Sequence, residues 1–357
     1  MVGARPNFMK AAPVIRGLAA LGVRQELVHT GQHYDPDLSD VFFHDLGLPP
    51  PDLNLGVGSG SHAAQTAALL EGLEHAFSAR RPALVIVYGD VNSTLAAALV
   101  AAKLRIPVAH VEAGLRSFDM TMPEEVNRRV TDVLADLCLV TSPEGVSNLL
   151  REGVPDERIH FVGNPMIDSL LASLDRLDPQ RARASLDLPA RYAVATVHRP
   201  ANVDSPADAE RLVAALNDLA GLLPTVLPLH PRGRPGLTAA GLTASDRLRV
   251  VDPLGYLDFL SLVRGATLVV TDSGGIQEET TVLGIPCLTI RPNTERPITV
   301  THGTNRLVRP EEVGGAASEI LTRPTGAPAT PPPLWDGHAG ERVARVVAAF
   351  LARSVPA

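Results

Sequence analysis

Acidic residues follow two neighbouring apolar segments in the first half of the chain. The run 84–88 (LVIVY) is of strand type and leads through a glycine into Asp90, and the run 107–111 (PVAHV) leads into Glu112. A helix rich in Ala and Leu is predicted between them over 92–105, with Asn or Ser as its cap. Because a strand–helix–strand crossover gives parallel neighbours, we expect both acids side by side at the carboxyl ends, where open α/β sheets bind ligands.

A third acid, Glu124, follows in the segment 123–128 (PEEVNR). Acids that converge at one sheet edge indicate proton-transfer chemistry. Taken singly, Asp90 is better explained as a turn residue and Glu124 as an acid of a helix start. The set of three favours a functional site.

The second half of the chain contains a pattern that is typical of a phosphate site. The run 266–271 (ATLVVT) predicts a strand, 272–275 (DSGG) a tight turn and Ile276 the start of a helix. Two glycines allow a ligand to approach the backbone, and the free N–H groups and the helix dipole attract an anion. The alternative is that the glycines only make a turn.

Other residues could complete such a site. Glu279 lies one turn into the predicted helix, where an acid suits a ribose diol better than a phosphate. Arg296, Arg5 and Lys10 would supply cations for a diphosphate. His198 ends a predicted strand just before an Arg-Pro pair, and His230 ends another strand, where it could support the site from behind.

Apolar periodicity predicts an α/β protein of two domains. The fold class expected is two doubly wound, Rossmann-like domains that face each other across a cleft, as in GT-B proteins. We place the N-terminal domain at 1–168 and the C-terminal domain at 169–335, and we expect the helix at 336–354 to pack back on the first domain. Predicted helices are 8–21, 61–79, 124–135, 143–152, 206–220, 256–263 and 275–283; predicted strands are 24–29, 136–141, 192–198, 225–229, 248–251 and 286–290.

Composition excludes several classes of protein. The 357 residues carry a net charge of −7, which argues against a nucleic-acid surface. Cys138 and Cys287 lie in apolar runs, so buried free thiols are expected. No signal peptide or 18-residue apolar span is evident, which favours a cytoplasmic protein without a membrane partner. The histidines lack metal-ligand spacing, and the glycine-rich segment 56–60 (GVGSG) is not a dinucleotide fingerprint, so no metal or cofactor is predicted.

The chain resembles the non-hydrolysing UDP-N-acetylglucosamine 2-epimerases over nearly its whole length. The motifs GDVNST, HVEAGLRSF and MPEEVNR carry the resemblance around the three acids. It continues, in the expected order, through TGQHYD (30–35), VGNPMID (162–168), HRPANVD (198–204), HPR (230–232), PLGYLDF (253–259), TDSGGIQEET (271–280), TERP (294–297) and GTNRLV (303–308).

The resemblance implies roles for individual residues. The catalytic positions would be Asp90, Glu112, Glu124 and His198. UDP would contact Arg5, Lys10, Phe259, Ser273, Gly274, Gly275, Glu279 and Arg296. It also implies a homodimer, a UDP-sugar as the small-molecule partner, and a place in the nucleotide-sugar metabolism that supplies cell-wall polysaccharide precursors.

The implied reaction is reversible inversion at C2 of a UDP-N-acetylhexosamine. The C2 proton of an unoxidised sugar is too weakly acidic for simple removal and return, so the sugar must either be oxidised transiently by NAD or lose UDP to form a glycal. Without a nicotinamide site the elimination is favoured. It needs a base for C2–H, an acid for the opposite face of C2 and cations on the departing diphosphate.

Four other interpretations remain open. Relatives in the same class act on a diacetamido-uronic UDP-sugar, and a hydrolysing relative that releases free ManNAc is disfavoured by GDVNST. A retaining glycosyltransferase could share the architecture, since fold alone does not fix function. A non-catalytic sugar-nucleotide sensor is disfavoured by the full set of acids.

Two features of the chain start depart from the family. Asn7 stands where relatives often have Glu, so no acid acts there. Only Met1 and Val2 precede Gly3, although G-x-R-P should follow a central strand of apolar residues. We therefore expect the native protein to begin upstream of Met1.

Overall fold

The structure is a computed structural model that divides into two compact units. Unit 1 comprises Met1–Ala172 and Pro333–Ala357, and unit 2 comprises Ser173–Pro332. The structure describes residues 1–31, 43, 45–203, 205–229, 233–322 and 331–354; of these, the side chains of Arg5, Pro200, Ala201 and Ser354 are not described.

Unit 1 is built on parallel strands. They are β1 (Val28–His29), β2 (Leu53–Asn54), β3 (Val85–Tyr88), β4 (Val108–Ala113), β5 (Leu137–Val140) and β6 (Ile159–Phe161). β1 pairs with β2, and the other four pair in the order β3-β4-β5-β6. Val2 forms a parallel bridge with His29, and the Met1 amine donates to the Ile86 carbonyl at 2.9 Å, so the first two residues link the two sheets.

The helices of unit 1 flank these strands. They are α1 (Arg5–Ala20), α2 (His62–Arg80), α3 (Asn92–Lys103), α4 (Pro123–Leu134), α5 (Pro143–Arg151), α6 (Pro165–Ser173) and, from the end of the chain, α15 (Ala339–Ser354). α15 packs on α1, where a Cβ on Gly17 would lie 2.8 Å from the Gly340 carbonyl oxygen. The Asp168 carboxylate accepts from the backbone N–H groups of Ala339 and Gly340 and thereby caps α15.

Unit 2 forms a six-stranded parallel sheet from described residues. Its strands are β7 (Ala193–Thr196), β8 (Thr225–Pro228), β9 (Leu248–Val251), β10 (Leu268–Thr271), β11 (Cys287–Ile290) and β12 (Asn305–Val308). The order β12-β11-β10-β7-β8-β9 is that of a doubly wound nucleotide-binding domain. The strand order reverses between β7 and β10, and ligands bind at such a switch point.

The helices of unit 2 complete this doubly wound fold. They are α7 (Pro179–Ser185), α8 (Pro200–Val203), α9 (Pro206–Leu222), α10 (Arg234–Ala239), α11 (Tyr256–Gly265), α12 (Gly274–Leu283), α13 (Ile298–Thr301) and α14 (Val313–Thr322). Ala, Leu and Val dominate the cores of both units. Cys138 and Cys287 are buried free thiols, as predicted, and burial raises the pKa of Cys138 to about 12 and that of Cys287 to about 11.

The α/β class and the parallel pairing of β3 with β4 are confirmed, but several element predictions are wrong in detail. The strand predicted at 24–29 contains only Val28–His29, because the Leu27 N–H donates to the Asp52 carboxylate at 2.6 Å instead of to a strand. β12, α7 and α14 were not predicted. Asn92 does not cap α3, because its amide donates to Gln65 at 2.8 Å, and Val91 is the N-cap residue.

Candidate active site

Asp90 and Glu112 lie close together at the carboxyl ends of β3 and β4. The Gly89 N–H donates to the Val111 carbonyl at 3.0 Å, which continues the ladder to the first of the two acids. A Cβ placed on Gly89 would be 3.1 Å from Glu112 Oε2. Glu112 has a φ of +79°, at an irregularity in the pairing of β4 with β5. Such strain in a non-glycine residue is typical of functional sites.

Lys10 forms an ion pair with Glu112. The Lys10 ammonium donates to Glu112 Oε2, and both residues are about 95% buried (exposed fractions 5% and 4%). The Lys10 ammonium also lies 3.1 Å from the position of a Cβ on Gly89. A buried charge without a partner would be costly, and each of these two residues supplies the partner of the other. The structure thus places Lys10 among the acids of unit 1.

α4 fixes the position of Asp90. The Arg128 guanidinium donates to Asp90 Oδ2, and the Asn127 amide donates to the Asp90 carbonyl at 2.8 Å. Arg128 also donates to Glu125 Oε2 at 2.8 Å. Sequence analysis gave no role to Arg128 or Glu125, although both lie in the motif MPEEVNR.

Glu125 holds the loop that precedes α4. Its carboxylate accepts from the N–H groups of Ser117 at 2.9 Å and Phe118 at 3.2 Å. Burial opposes its ionisation, but the hydrogen bonds from Ser117 and Arg128 outweigh burial and lower the pKa of Glu125. Glu125 is therefore ionised, and its carboxylate holds Arg128 and the loop in place through these hydrogen bonds.

Glu124 differs from its neighbour. It lies in the first turn of α4 and is half-buried, and its carboxylate makes no ion pair or hydrogen bond with a described residue. Asp90 and Glu112 each pair with a cation, whereas Glu124 pairs with none among the described residues.

Buried polar groups support these acids from below. His110 bridges the Asp132 carboxylate, 2.6 Å from Nδ1, and the Gly89 carbonyl, 2.8 Å from Nε2. Burial opposes ionisation of Asp132, but His110 and Arg116 outweigh it and lower the pKa of Asp132. Asn7 accepts from the N–H groups of Gly3 and Ala4 and donates to the Tyr88 carbonyl, so it ties the chain start to the end of β3.

In unit 2, the start of α12 is open to an anion. Ser273 is its N-cap residue, and its side chain makes no capping hydrogen bond. Gly274 and Gly275 begin the helix, and a Cβ on Gly274 would collide with the Arg296 guanidinium and lie 2.9 Å from Glu295 Oε1. Glycine is therefore required for the close approach of Arg296 to the helix N-terminus. Free N–H groups beside a guanidinium suit a phosphate.

Carboxylates already neutralise Arg296. Its guanidinium lies 3.0 Å from Glu278 and also pairs with Glu295, and all three residues are buried. Arg291 donates to Glu295 at 2.6 Å, and burial lowers the pKa of Arg291. Arginines and buried carboxylates therefore lie together beside the start of α12.

His198 lies at the switch point of the unit 2 sheet. It follows β7, and its Nδ1 is 2.8 Å from Asp272 Oδ1, directly before the N-cap of α12. The His198 side chain is 59% exposed, whereas Asp272 is fully buried. Asp272 is a further residue that sequence analysis missed, although it lies in the quoted motif TDSGGIQEET.

Glu279 and Phe259 occupy different surroundings in unit 2. Glu279 is buried one turn into α12; burial and the neighbouring charge of Glu278 raise its pKa to about 8, although a hydrogen bond with Tyr256 opposes the shift. Glu279 is therefore neutral at pH 7 and can donate as well as accept a hydrogen bond. Phe259 on α11 is half-buried and packs against the apolar core.

Some expected residues lie outside the described part of the chain. Arg5 is the first residue of α1, but its side chain is not described. His230 with the rest of HPR, and residues 32–35 of TGQHYD, also lie outside the described part of the chain.

Within the described residues no His, Cys, Asp and Glu side chains cluster in a way that could hold a metal ion. No described helix is long and apolar enough to cross a membrane.

Comparison with known proteins defines first the fold class and then the family. A solved glycosyltransferase from Streptomyces nogalater covers 99% of the chain with a TM-score of 0.53 at 17% identity, so the two parallel α/β units have a GT-B-like fold. The family model of UDP-N-acetylglucosamine 2-epimerase matches residues 18–348. The chain belongs to this family.

Individual relatives cover nearly the whole chain. The UDP-N-acetylglucosamine 2-epimerase of Methanocaldococcus jannaschii is 38% identical over 359 residues, or 97% of each chain. The UDP-2,3-diacetamido-2,3-dideoxy-D-glucuronate 2-epimerase of Pseudomonas aeruginosa is 42% identical over 325 residues, or 90% of this chain and 89% of the relative. The crystal structure of the M. jannaschii enzyme in complex with UDP-GlcNAc and UDP superposes with a TM-score of 0.91 over 98% of both chains.

Proposed function

We propose that this protein epimerises UDP-GlcNAc and UDP-ManNAc reversibly at C2, by elimination of UDP to a glycal and readdition. The observation that carries this proposal is the close match, over 98% of both chains, to a 2-epimerase whose structure contains UDP-GlcNAc and UDP. The described residues of each unit have chemistry that the reaction needs.

In this proposal the acids of unit 1 remove the proton at C2 and return a proton there. One carboxylate removes C2–H while the C1–O bond to UDP breaks, and a second acid returns a proton to the other face of C2 as UDP re-adds. Asp90 pairs with Arg128 and Glu112 pairs with Lys10, and both acids suit the role of base because a neighbouring cation stabilises a carboxylate. Glu124 lacks such a cation among the described residues and suits the role of proton donor.

The residues of unit 2 serve UDP. The backbone N–H groups of Gly274 and Gly275, the Ser273 side chain and the Arg296 guanidinium would stabilise the charge that develops on the departing diphosphate. The neutral Glu279 carboxyl would bind the ribose hydroxyls. The proposal also carries over contacts of UDP with Arg5 and Phe259, and it involves no added nucleotide cofactor or metal.

A second candidate substrate is a UDP-diacetamido-uronic acid. It is favoured by the 42% identity to the P. aeruginosa enzyme, which exceeds the 38% identity to the M. jannaschii enzyme, although over a smaller share of the chain. The same C2 chemistry would apply, because both sugars carry an acetamido group and a proton at C2. Only the groups at C3 and C5 distinguish them.

Product analysis tests the proposal and separates the candidates. Purified protein is incubated with each UDP-sugar without an acceptor, and the products are followed by proton NMR. We expect UDP-ManNAc to form from UDP-GlcNAc until both epimers coexist, with EDTA leaving the rate unchanged. Conversion of the uronic sugar alone would establish the second candidate, and no conversion of either sugar would contradict epimerisation.

The proposal includes a homodimer. Val126, Val130 and Val133 form an exposed stripe on α4 with spacings of four and three residues, and Val133 is 67% exposed. Phe118 and Met120, in the loop before α4, are also exposed apolar residues. A stripe of this spacing suits helix–helix packing, and a two-fold axis would pair it with itself.

Sedimentation tests the dimer. Val130→Glu should convert the protein to monomers, because two carboxylates would meet at the axis. Leu222→Glu, which changes an exposed leucine on unit 2, is the matched control and should leave the dimer intact. A wild-type protein that sediments as a monomer would contradict the proposed dimer.

We also propose a cytoplasmic location, which cell fractionation tests.

A further inference from the structure

The carboxylate of Asp272 contacts several donors at the switch point of unit 2. It accepts from the backbone N–H groups of His198 at 3.0 Å and Arg199 at 2.9 Å, and from the Asn202 amide at 3.0 Å. His198 Nδ1 lies 2.8 Å from its Oδ1. Burial opposes its ionisation, but the hydrogen bond and charge of His198 and the other donors outweigh burial and lower the pKa of Asp272.

The geometry leaves one ring nitrogen of His198 available. A carboxylate accepts hydrogen bonds and does not donate them, so Nδ1 carries a proton. Nε2 makes no hydrogen bond to a described residue, and the side chain is 59% exposed. A buried acid that orients an exposed imidazole in this way is the arrangement used where histidine transfers protons.

We propose that Asp272 is a positioning residue that fixes His198 in its Nδ1–H form, so that Nε2 is the ring nitrogen that serves the diphosphate. This inference rests on the proposed function. Asp272 directly precedes Ser273, the N-cap residue of α12, and the Arg199 side chain also donates to the Asp272 carbonyl at 3.0 Å. The imidazole therefore lies beside the same helix start that would bind the diphosphate.

The charges around the ring favour this role. Among the described residues, the charged groups that neighbour the ring are Asp272, Arg199 on the same loop, and Glu295, whose Oε1 lies 3.7 Å from Arg199. A bound diphosphate would add negative charge on the Nε2 side. With one proton taken up from solvent, the ring would then hold a proton on each nitrogen, and Nε2–H would donate to a phosphate oxygen while the C1–O bond to UDP breaks.

Nitrogen NMR of His198 tests the orientation without any turnover. In protein with 15N-labelled histidine, assigned by comparison with His198→Ala, the neutral ring should be in the Nδ1–H form, and added UDP should protonate Nε2. Asp272→Asn should restore the Nε2–H form that free histidine prefers. A wild-type ring that is mainly Nε2–H would overturn the inference.

A double-mutant cycle tests the functional coupling. Asp272→Asn should lower turnover by about 10²-fold, the lower range for a placed acid or base, and the double variant with His198→Ala should be no slower than His198→Ala alone. Asn202→Ala removes one hydrogen bond to Asp272 but keeps its pair with His198; turnover should stay within about threefold of wild type. Additive losses, or an equal loss in Asn202→Ala, would show a merely structural role and contradict the inference. If wild-type protein epimerises no UDP-sugar, the proposed function fails, while the NMR result still decides the position of the proton.

Discussion

Gly89→Ala separates backbone strain from an effect on the acids. Gly89 has a φ of +64°, and Gly22 has a φ of +71° with no atom within 4 Å of an added Cβ. Alanine in this left-handed conformation costs roughly 1–2 kcal/mol, so this strain alone should lower the melting temperature of both Gly89→Ala and Gly22→Ala by a few degrees. Gly22→Ala is therefore the matched control for strain.

Only the Gly89 variant should lower turnover. Its new Cβ would lie 3.1 Å from both Glu112 Oε2 and Lys10 Nζ, closer than the usual contact of about 3.5–4.0 Å, so the buried pair must move by several tenths of an ångström. Because a displacement of about 1 Å can cost about 10²-fold in rate, we expect a loss of about tenfold. Initial rates with UDP-GlcNAc and UDP affinity by calorimetry are the measurements, and the affinity should be unchanged. Equal turnover for the two variants would refute the placement of Glu112 and Lys10 beside Gly89.

Further substitutions test the individual roles. Asp90→Asn, Glu112→Gln and Glu124→Gln should each lower turnover by about 10²–10⁴-fold with little change in UDP affinity; near-normal rates in all three would contradict the catalytic assignment. Arg296→Ala should weaken UDP binding at least about tenfold in calorimetry, since an arginine–phosphate pair is lost, and unchanged affinity would place the diphosphate elsewhere. The pKa of Glu279, about 8, lies above its ordinary value of 4.5, so its contribution to stability is complete below pH 4.5 and is lost as the pH rises through about 8. Glu279→Gln should remove this decrease in stability, which melting temperatures measured across the pH range would show. If the curves of melting temperature against pH are parallel for wild type and Glu279→Gln, Glu279 is not a buried neutral carboxyl.

The sequence predicted the elements that local patterns determine. Strand 248–251 was placed with both ends correct, and the run before Asp90 and the helix after it differ from the structure by one or two residues. β12 was not predicted, because Asn305 and Arg306 interrupt its apolar character. The Asn305 amide donates a hydrogen bond to Gln277 on α12. The two residues are 28 positions apart, so no local pattern reveals this contact.

The partners of the acids also depend on distant contacts. Arg128 lies 38 positions from Asp90, Lys10 lies 102 positions from Glu112, and Asp272 lies 74 positions from His198. Each motif was recognisable, but only the fold shows which member of one motif contacts which member of another. The catalytic and UDP-binding assignments remain predictions that the substitutions above test.

Hydrogen exchange at C2 tests the central claim most directly. UDP-GlcNAc is turned over in D2O, and both epimers are recovered and examined by NMR and mass spectrometry. If a base removes C2–H and another acid reprotonates the opposite face, each product molecule should carry deuterium at C2, and free UDP with the glycal should accumulate in trace amounts. Epimerisation in which both sugars retain protium at C2 would contradict the mechanism.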